Sequence, residues 1–273
     1  MGYLFLFILM GILFALFLKM WMDTKYFKVN TVCLFTEKVS ADDPCTILQI
    51  SDLHDKTFGP SNQRLIDTVK RLHPDMIVLT GDVIDRHTTD FSGVFSLVEQ
   101  LTRLHKHVFY VSGNHEWDNR QTEVFFEGLS KRNVTILNNQ HCSITINDCS
   151  LNLVGVADVS TAHEDLEKAF RDVNRDSYTI LLSHSPSIVE KYQHIPADLI
   201  LSGHTHGGQI RMPFVGALIA PDQGYFPKLD KGIFKIGREQ YLYIDSGIGT
   251  SNVPIRFLNK SQVSIIKIVH PKK

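Results

Sequence analysis

The hydrophobic and polar positions of this chain alternate between short apolar runs and small polar clusters. Five runs of four to five largely apolar residues are each followed at once by residues rich in Asp, Asn and His. Runs of this length that contain Val, Ile and aromatic residues are typical of buried strands. We therefore predict five strands, over Thr46–Ile50, Met76–Thr80, Val108–Val111, Tyr178–Leu182 and Leu199–Ser202.

The start of the chain forms a separate apolar segment. No charged or strongly polar side chain occurs between Tyr3 and Leu18, and the apolar run continues past Lys19 to Met22. About 20 apolar residues span a bilayer, so the length suffices. A signal peptide would have basic residues before the run and a small-residue cleavage site after it, and neither is present. We predict an uncleaved transmembrane anchor over residues 1–22.

The remaining residues indicate a single domain. We assign 23–45 to a connector with a first strand region and 46–273 to the domain itself, because no Pro/Gly/Ser-rich linker interrupts the chain after residue 45. With 43% hydrophobic residues, the chain can bury a sizeable core. Lys19, Lys25 and Lys28 follow the apolar segment and nothing basic precedes it. Because basic residues favour the cytoplasmic side of a membrane, we predict a single-pass protein of the cell membrane with its domain facing the cytoplasm; the opposite side is the alternative.

The net charge of the chain narrows the classes of protein to which it can belong. The formal net charge is −1, whereas a protein that binds duplex nucleic acid needs a basic surface to displace counterions. We therefore expect no nucleic acid as a partner.

The four cysteines lie outside the polar clusters. Cys142 and Cys149 flank a predicted hairpin with strands over Ser143–Ile146 and Ser150–Val154 and a turn at Asn147-Asp148. In that register Ile146 faces Cys149, and the two sulfurs are more than about 10 Å apart. A disulfide between them is therefore excluded.

The polar clusters carry the side chains that bind divalent transition metals. Imidazole and carboxylate groups are the common ligands of such ions, and loops at strand ends hold binding residues in place. A lone Asp or His at such a position is more often a turn or surface residue, but five clusters at equivalent positions favour a joint site. The clusters are Asp52-Leu53-His54, Gly81-Asp82-Val83-Ile84-Asp85, Gly113-Asn114-His115-Glu116, Ser183-His184-Ser185 and Gly203-His204-Thr205-His206-Gly207-Gly208.

In this order, the clusters resemble those of the calcineurin-like metallophosphoesterases. The apolar start, together with the stretches 247–251 and 254–256, is similar to the membrane-anchored YkuE-like branch. The resemblance implies an α/β fold of four layers, an αββα sandwich, behind the N-terminal transmembrane helix. It also implies two divalent metal ions at one edge of that sandwich. Mixed nitrogen and oxygen ligands without sulfur fit Mn, Fe or Zn better than Ca; of these we expect Mn, with Fe or Zn as alternatives.

The resemblance also assigns the ligands. One ion is expected to bind Asp52, His54, Asp82 and His206, and the other shares Asp82. The second ion completes its set with Asn114, His184 and His204.

Three further residues receive roles outside the ligand set. The resemblance implies that His115 protonates the leaving group and that Asp85 orients His115. Arg86 follows Asp85, and its forked donors could bind a substrate phosphate; the alternative is a surface charge paired with Asp85 or Asp90. The remaining eight histidines are interpreted as solvated.

The resemblance predicts a phosphoric ester hydrolase in which a hydroxide held between the metals attacks phosphorus. The substrate could be a phosphodiester, a phosphomonoester or a pyrophosphate, on a small molecule or on a lipid. Two other classes stay open: a membrane-tethered binding or scaffold protein that keeps the fold, and a membrane-anchored nuclease. The complete ligand set argues against the former and the near-neutral charge against the latter.

An apolar stretch, Met212–Ala220, follows the last cluster. It could be a core strand and loop, or an apolar wall near the membrane that admits a lipid tail, with Phe58 and Phe91 as further parts of that wall. The segment 258–262 departs from the Pro-Glu usual in this branch, and we expect it to lie away from the ligands.

Overall fold

A computed structural model describes residues 2–39, 44–146, 149–251 and 253–271. Two six-stranded sheets and two short hairpins contain all the strands of this part of the chain. The strands are β1 Phe27–Phe35, β2 Cys45–Ile50, β3 Met76–Thr80, β4 Val108–Val111, β5 Thr135–Ile136, β6 Gln140–Ile146, β7 Cys149–Gly155, β8 Tyr178–Leu182, β9 Leu199–Ser202, β10 Arg211–Met212, β11 Gly216–Ala217, β12 Ile219–Ala220, β13 Gly224–Tyr225, β14 Gly232–Lys235, β15 Tyr241–Ile244 and β16 Ser261–Val269.

Helices cover the outer faces of the sheets, and one helix precedes them. Two short 3-10 turns, Pro60–Asn62 and His206–Gly208, accompany the helices within the described ranges. The helices are α1 Gly2–Lys25, α2 Gln63–Leu72, α3 Ser92–Leu104, α4 Asn114–Trp117, α5 Thr122–Ser130, α6 Leu166–Ala169 and α7 Ile188–Lys191.

The two large sheets pack face to face. The first has the order β1-β16-β2-β3-β4-β5 and the second β14-β15-β9-β8-β7-β6. Ile47 and Val78 of the first sheet share one apolar core with Leu153 and Ile180 of the second. The outer face of the first sheet packs against α2, α3 and α5, and that of the second against α6 and α7. The expected four-layer αββα sandwich is confirmed.

The layering explains why the apolar runs are continuous. In β3, Met76 and Val78 point into the core between the sheets, whereas Ile77 and Leu79 point toward the helices. A strand that is buried on both faces cannot alternate apolar with polar residues. All five predicted strands are confirmed, and the only shift is that β2 begins one residue earlier, at Cys45.

α1 is long and apolar enough to cross a membrane, by length and composition. At about 1.5 Å per residue its 24 residues extend over roughly 36 Å, and its side chains from Tyr3 to Leu18 are exposed. The helix continues three residues beyond the predicted limit of the anchor. Likewise β1, which we assigned to the connector, pairs along its whole length with β16. The division into 1–22, 23–45 and 46–273 stays a prediction.

The strand directions bring the end of α1 to a defined edge of the molecule. β1 runs parallel to β16, and β16 runs antiparallel to β2. The beginning of β1 therefore lies at the edge where β2 ends, which is where the polar clusters begin. Because α1 ends at Lys25 and β1 begins at Phe27, the C-terminal end of α1 lies at that same edge.

The predicted hairpin is confirmed for its paired residues. Ile146 pairs with Cys149, and Cys142 pairs with Leu153, so Cys142 is a free thiol. The predicted turn residues, Asn147 and Asp148, lie outside the described residues.

Two interpretations of apolar residues were wrong. Phe58 and Phe91 are only 2% and 5% exposed and lie in the core beneath α2 and α3, because their loops fold back onto the sheet. They are therefore no part of a wall at the site. The Met212–Ala220 stretch is not a core strand, since it forms most of two small surface hairpins, β10–β11 and β12–β13. Only Ala217 and Ala220 are buried there.

Candidate dinuclear metal centre

The predicted ligands meet at the carboxyl edge of the two sheets. β2, β3 and β4 run parallel in the first sheet, as do β8 and β9 in the second, so the loops that follow them converge. These loops supply Asp52 and His54 after β2, Asp82 after β3, Asn114 after β4, His184 after β8, and His204 and His206 after β9.

Six of these seven residues form two groups that share Asp82. Donor atoms of Asp52, His54, Asp82 and His206 lie within 4.8 Å of one another, and so do those of Asp82, His184 and His204. The Oδ2 atom of Asp82 is 3.2 Å from His184 Nε2 and 3.6 Å from His54 Nε2. One carboxylate oxygen therefore faces both groups.

One ring nitrogen of His184 faces one ring nitrogen of His204. His184 Nδ1 is 2.8 Å from the carbonyl oxygen of Thr80, so this nitrogen carries the proton that donates. His204 Nε2 is 2.7 Å from Asp222 Oδ2, so it too carries a donating proton. The remaining nitrogens, His184 Nε2 and His204 Nδ1, are only 3.1 Å apart, and two neutral rings would set their lone pairs against each other. A proton on His184 Nε2, or a metal cation in its place, removes this repulsion.

The second group shows the same preparation for a cation. His54 Nε2 and His206 Nε2 are 3.2 Å apart. Buried Asp52 Oδ2 has no hydrogen-bond partner in this group, and neither has Asn114 Oδ1, which was assigned to the group of His184 and His204. Buried polar atoms normally have partners, so orphaned oxygens beside imidazole nitrogens fit the coordination of divalent ions. The donor set of nitrogen and oxygen without sulfur is suited to Mn, Fe or Zn.

Charge interactions keep the shared carboxylate ionised. Burial opposes ionisation of Asp82, but the neighbouring His184, His54 and His115 hold its pKa well below the usual range. Burial likewise works against protonation of His184, yet the charge of Asp82 raises the pKa of that ring well above its usual value. An ionised Asp82 is the form that a bridging ligand requires.

Much of the site backbone is in the left-handed region. Asp52, His54, Asp82, His204 and His206 have φ between 47° and 67°, which is uncommon for residues other than glycine. Such conformations persist where the surrounding structure enforces them, often at functional sites. Here the hydrogen bonds from Asp52 N to Gly81 O and from His54 N to Asp82 O fix the two loops against each other.

Glu116 organises the loop that contains Asp82, a role that the sequence did not reveal. Its carboxylate is fully buried and accepts hydrogen bonds from the backbone N–H groups of Asp82, Val83, Ile84 and Gly113 at 2.6–3.2 Å. Burial raises the pKa of Glu116 to about 7, with Asp82 contributing and the backbone donors opposing. Since all four partners are donors, the geometry is built for the ionised form.

Asp85, His115 and Arg86 lie together beside the ligands. His115 Nδ1 is 3.2 Å from Asp85 Oδ2, and His115 Nε2 is 3.1 Å from Arg86 Nη2. Burial lowers the pKa of His115 to about 4, and Asp82 opposes this effect. The ion-pair partner of Arg86 is Asp118, at 3.2 Å, and not Asp85 or Asp90.

Three other residues contact the ligands without having been predicted. Besides the Asp222–His204 bond, buried Arg256 and Asn259 both donate to the carbonyl oxygen of His206, at 3.3 and 2.6 Å. The expectation that segment 258–262 lies away from the ligands was therefore wrong. The segment between β15 and β16 returns to the site, and Asn259 in that segment contacts the 3-10 turn that contains His206.

Four of the candidate ligands, Asp82, Asn114, His204 and His206, line a cleft of about 290 Å³. The same cleft is also lined by Arg86, His115, Asp118, Asp222 and Ser251. Next to it is a more apolar cleft of about 350 Å³, bounded by Ile219, Val253 and others, and the two share His206, Pro221 and Ser251.

A sequence model of the calcineurin-like phosphoesterases matches residues 45–208, more than half of the chain. The chain belongs to the calcineurin-like phosphoesterase family. The family resemblance inferred from the polar clusters is thereby confirmed. The similarity to YkuE, described next, confirms the YkuE-like branch.

Relatives of this phosphoesterase include two proteins of Bacillus subtilis (strain 168). The metallophosphoesterase YkuE is 30% identical over 232 residues, which cover 83% of this chain and 79% of YkuE. The metallophosphoesterase YkoQ is 27% identical over 251 residues, covering 90% and 92%. A Danio rerio protein named "Transmembrane protein with metallophosphoesterase domain" is 27% identical and covers 81% of this chain and 52% of its own length.

The solved structures that resemble this phosphoesterase are more distant in sequence. A 5'-nucleotidase precursor from Thermus thermophilus has a TM-score of 0.49 at 14% identity, covering 83% of this phosphoesterase and 54% of that chain. A dimetal phosphatase from Danio rerio has a TM-score of 0.45 at 12% identity, covering 75% and 88%. Similarities of this size bear on no particular residue of the site.

Glu116→Gln should destabilise this phosphoesterase. The amide of Gln would place an N–H group against backbone donors, so the free energy of unfolding should fall by about 1–3 kcal/mol. Denaturant unfolding measures the change. Glu127→Gln, on the exposed face of α5 beside Lys131, is the control and should change stability by less than about 0.5 kcal/mol. Equal stability of both variants would contradict the structural role of Glu116.

Proposed function

We propose that this protein is a membrane-anchored hydrolase of phosphoric esters or anhydrides that uses two divalent cations. The observation that carries the proposal is the convergence of imidazole lone pairs and orphaned oxygens around the ionised Asp82. One ion would bind Asp52, His54, Asp82 and His206, and the other Asp82, Asn114, His184 and His204. Mn is the first candidate among Mn, Fe and Zn.

Two such ions, when bound, would supply positive charge to the phosphoryl oxygens and acidify a water for attack on phosphorus. The remaining chemistry falls to side chains of the cleft. His115 Nε2 would hold a proton at the leaving oxygen, and Asp85 would orient the ring through Nδ1. Arg86, already beside His115 Nε2, would bind a non-bridging phosphate oxygen. A phosphate dianion in the cleft would add negative charge beside His115 and so favour its protonated form.

The placement of the site favours a substrate at the membrane surface. The C-terminal end of α1 and the ligand loops share one edge of the sheets, and a relative is named as a transmembrane protein. Around the cleft, the two hairpins expose an apolar rim that consists of Met212, Phe214, Val215, Ile219, Tyr225 and Phe226, each at least 49% exposed.

Exposed apolar patches of this kind mark contacts with membranes or partners. Two hydrogen bonds connect the rim to α1. Arg211 N–H donates to Phe257 O, and the neighbouring Arg256 N–H donates to the side-chain oxygen Thr24 Oγ1 at 2.8 Å. We therefore propose a phospholipid-type substrate whose phosphate enters the metal site and whose apolar part lies along the rim and its adjoining cleft. That the domain faces the cytoplasm rests on Lys19, Lys25 and Lys28 alone and stays a prediction.

Asp82→Asn should remove both metals and the activity together. A neutral amide offers one acceptor oxygen where the site requires a charged bridging group, whereas the wild-type protein should bind about two ions per chain. Elemental analysis of the purified protein measures the ratio. Asp176→Asn, an exposed surface change, is the control. Full occupancy at both sites in Asp82→Asn would contradict the ligand assignment.

His115→Ala should keep both metals but lose about 10²–10⁴-fold in turnover, the usual contribution of one acid–base group. The loss should be smaller for a nitrophenyl ester, because an acidic leaving group needs little protonation. Kinetics on matched alkyl and nitrophenyl esters measure the difference, with exposed His194→Ala as the control. An equal loss for both leaving groups would exclude His115 as the proton donor.

Phe214→Asp should lower the ratio of the rate on a phospholipid in vesicles to the rate on a soluble diester. Phe214 is the most exposed residue of the apolar rim, and a carboxylate there opposes contact with acyl chains. Phe35→Asp is the matched control: Phe35 is 64% exposed but lies at the far end of β1, roughly 26 Å from the site edge. An unchanged ratio in Phe214→Asp would favour a soluble substrate.

A further inference from the structure

Arg256 is a fully buried arginine that does not line the cleft. Its guanidinium group donates to three backbone carbonyls behind the ligands: Ser246 O at 2.7 Å, Gly249 O at 2.8 Å and His206 O at 3.3 Å. It also lies 3.5 Å from the His206 ring nitrogen Nδ1. Arg256 therefore joins the loop after β15 to the turn that presents His206.

The backbone of the same residue is bonded to the membrane helix. Arg256 N–H donates to Thr24 Oγ1 at 2.8 Å, while the Thr24 hydroxyl donates to Met20 O within α1. The Thr24 carbonyl accepts from Lys56 Nζ at 2.5 Å and from Ser261 Oγ at 3.4 Å. The last carbonyls of a helix have no partner within the helix, and here the domain supplies one.

Asp23, next to Thr24, is also buried against the domain. It is only 2% exposed, although it belongs to a helix whose preceding side chains are almost all exposed. Its carboxylate forms an ion pair with Lys19 Nζ at 2.5 Å, one turn earlier in α1. The last turn of the anchor helix is therefore packed against the domain, unlike the turns before it.

We propose that the last turn of the anchor helix is a structural part of the metal site, and that Thr24 and Arg256 act as positioning residues for His206. The inference rests on the metal-binding function proposed above. His206 has a left-handed backbone (φ 51°), and such a conformation persists only where surrounding contacts enforce it. Its carbonyl is held by Arg256 and Asn259, and Arg256 is held in turn by Thr24.

The test measures metal affinity in the full-length protein in detergent, with Mn²⁺ or Zn²⁺ in competition with a chelator. Thr24→Val keeps the shape of the side chain but leaves the buried Arg256 N–H without its acceptor. We expect the metal site that contains His206 to bind about fivefold more weakly, the equivalent of one hydrogen bond. Thr31→Val, an exposed change on β1, is the matched control and should bind both ions as the wild-type protein does.

Arg256→Lys retains the charge but loses the planar fork that reaches three carbonyls. We expect a loss of about 10–100-fold in affinity at the same metal site, the usual effect of removing a group that orients a ligand. The site that lacks His206 should change less in both variants. If Arg256→Lys fails to fold, as judged by circular dichroism, the result for Thr24→Val decides alone.

The outcomes separate this inference from the proposed function. Wild-type affinity in Thr24→Val would overturn the inference, even if the variant melts at a lower temperature, because the contact would then serve stability only. Weakening of both metal sites to the same extent would also overturn it. A wild-type protein that binds no divalent metal at all would instead contradict the proposed function.

Discussion

Two pairs of imidazole nitrogens that face each other at 3.1 and 3.2 Å impose the central constraint on this molecule. In each pair the rings are close enough that lone pairs repel unless a proton or a cation lies between them. For His184 and His204 the outer nitrogens are already committed to Thr80 and Asp222, so the inner nitrogens cannot turn away. The loops after β8 and β9 therefore direct these two inner nitrogens at a position that favours a positive charge, either a proton or a cation.

Other residues hold the loops of the site together against the repulsion between these nitrogens. Glu116 gathers four backbone N–H groups of the loops after β3 and β4. A Cβ atom on Gly81 would come within 2.5 Å of His184 Nδ1, so glycine is required there. Charged groups buried in this way contribute little net stability, and the interleaved apolar faces of the sheets have to supply it. The loops that Glu116 joins follow directly from β3 and β4, two strands in which every residue is buried.

The sequence predicted the strands and the positions of the polar clusters because both follow from local pattern. A strand that is buried on both faces is apolar throughout, and the polar loop begins where the strand ends. The strand Met76–Thr80 and the candidate ligand Asp82 can therefore be recognised from the same stretch of sequence. The supporting residues leave no such pattern. Glu116 looks like one more acidic residue of a short helix, and Asp222, Arg256 and Asn259 reach the ligands only through long-range folding. The surface position of Met212–Ala220 was equally hidden, because exposure depends on which loops pack over a segment. Phe58 and Phe91 show the opposite error: they were expected near the surface of the site, but aromatic residues in loops can still lie in the core.

The order β1-β16-β2 has a consequence for how the protein is made. β16, the last strand in the sequence, lies between the first two, with parallel pairing to β1 and antiparallel pairing to β2. During synthesis β1 and β2 both leave the ribosome long before β16, the strand that joins them. Contacts between segments so distant in sequence form slowly. The first sheet can therefore join β1, and with it the end of α1, to β2 only after the chain has been synthesised as far as Val269.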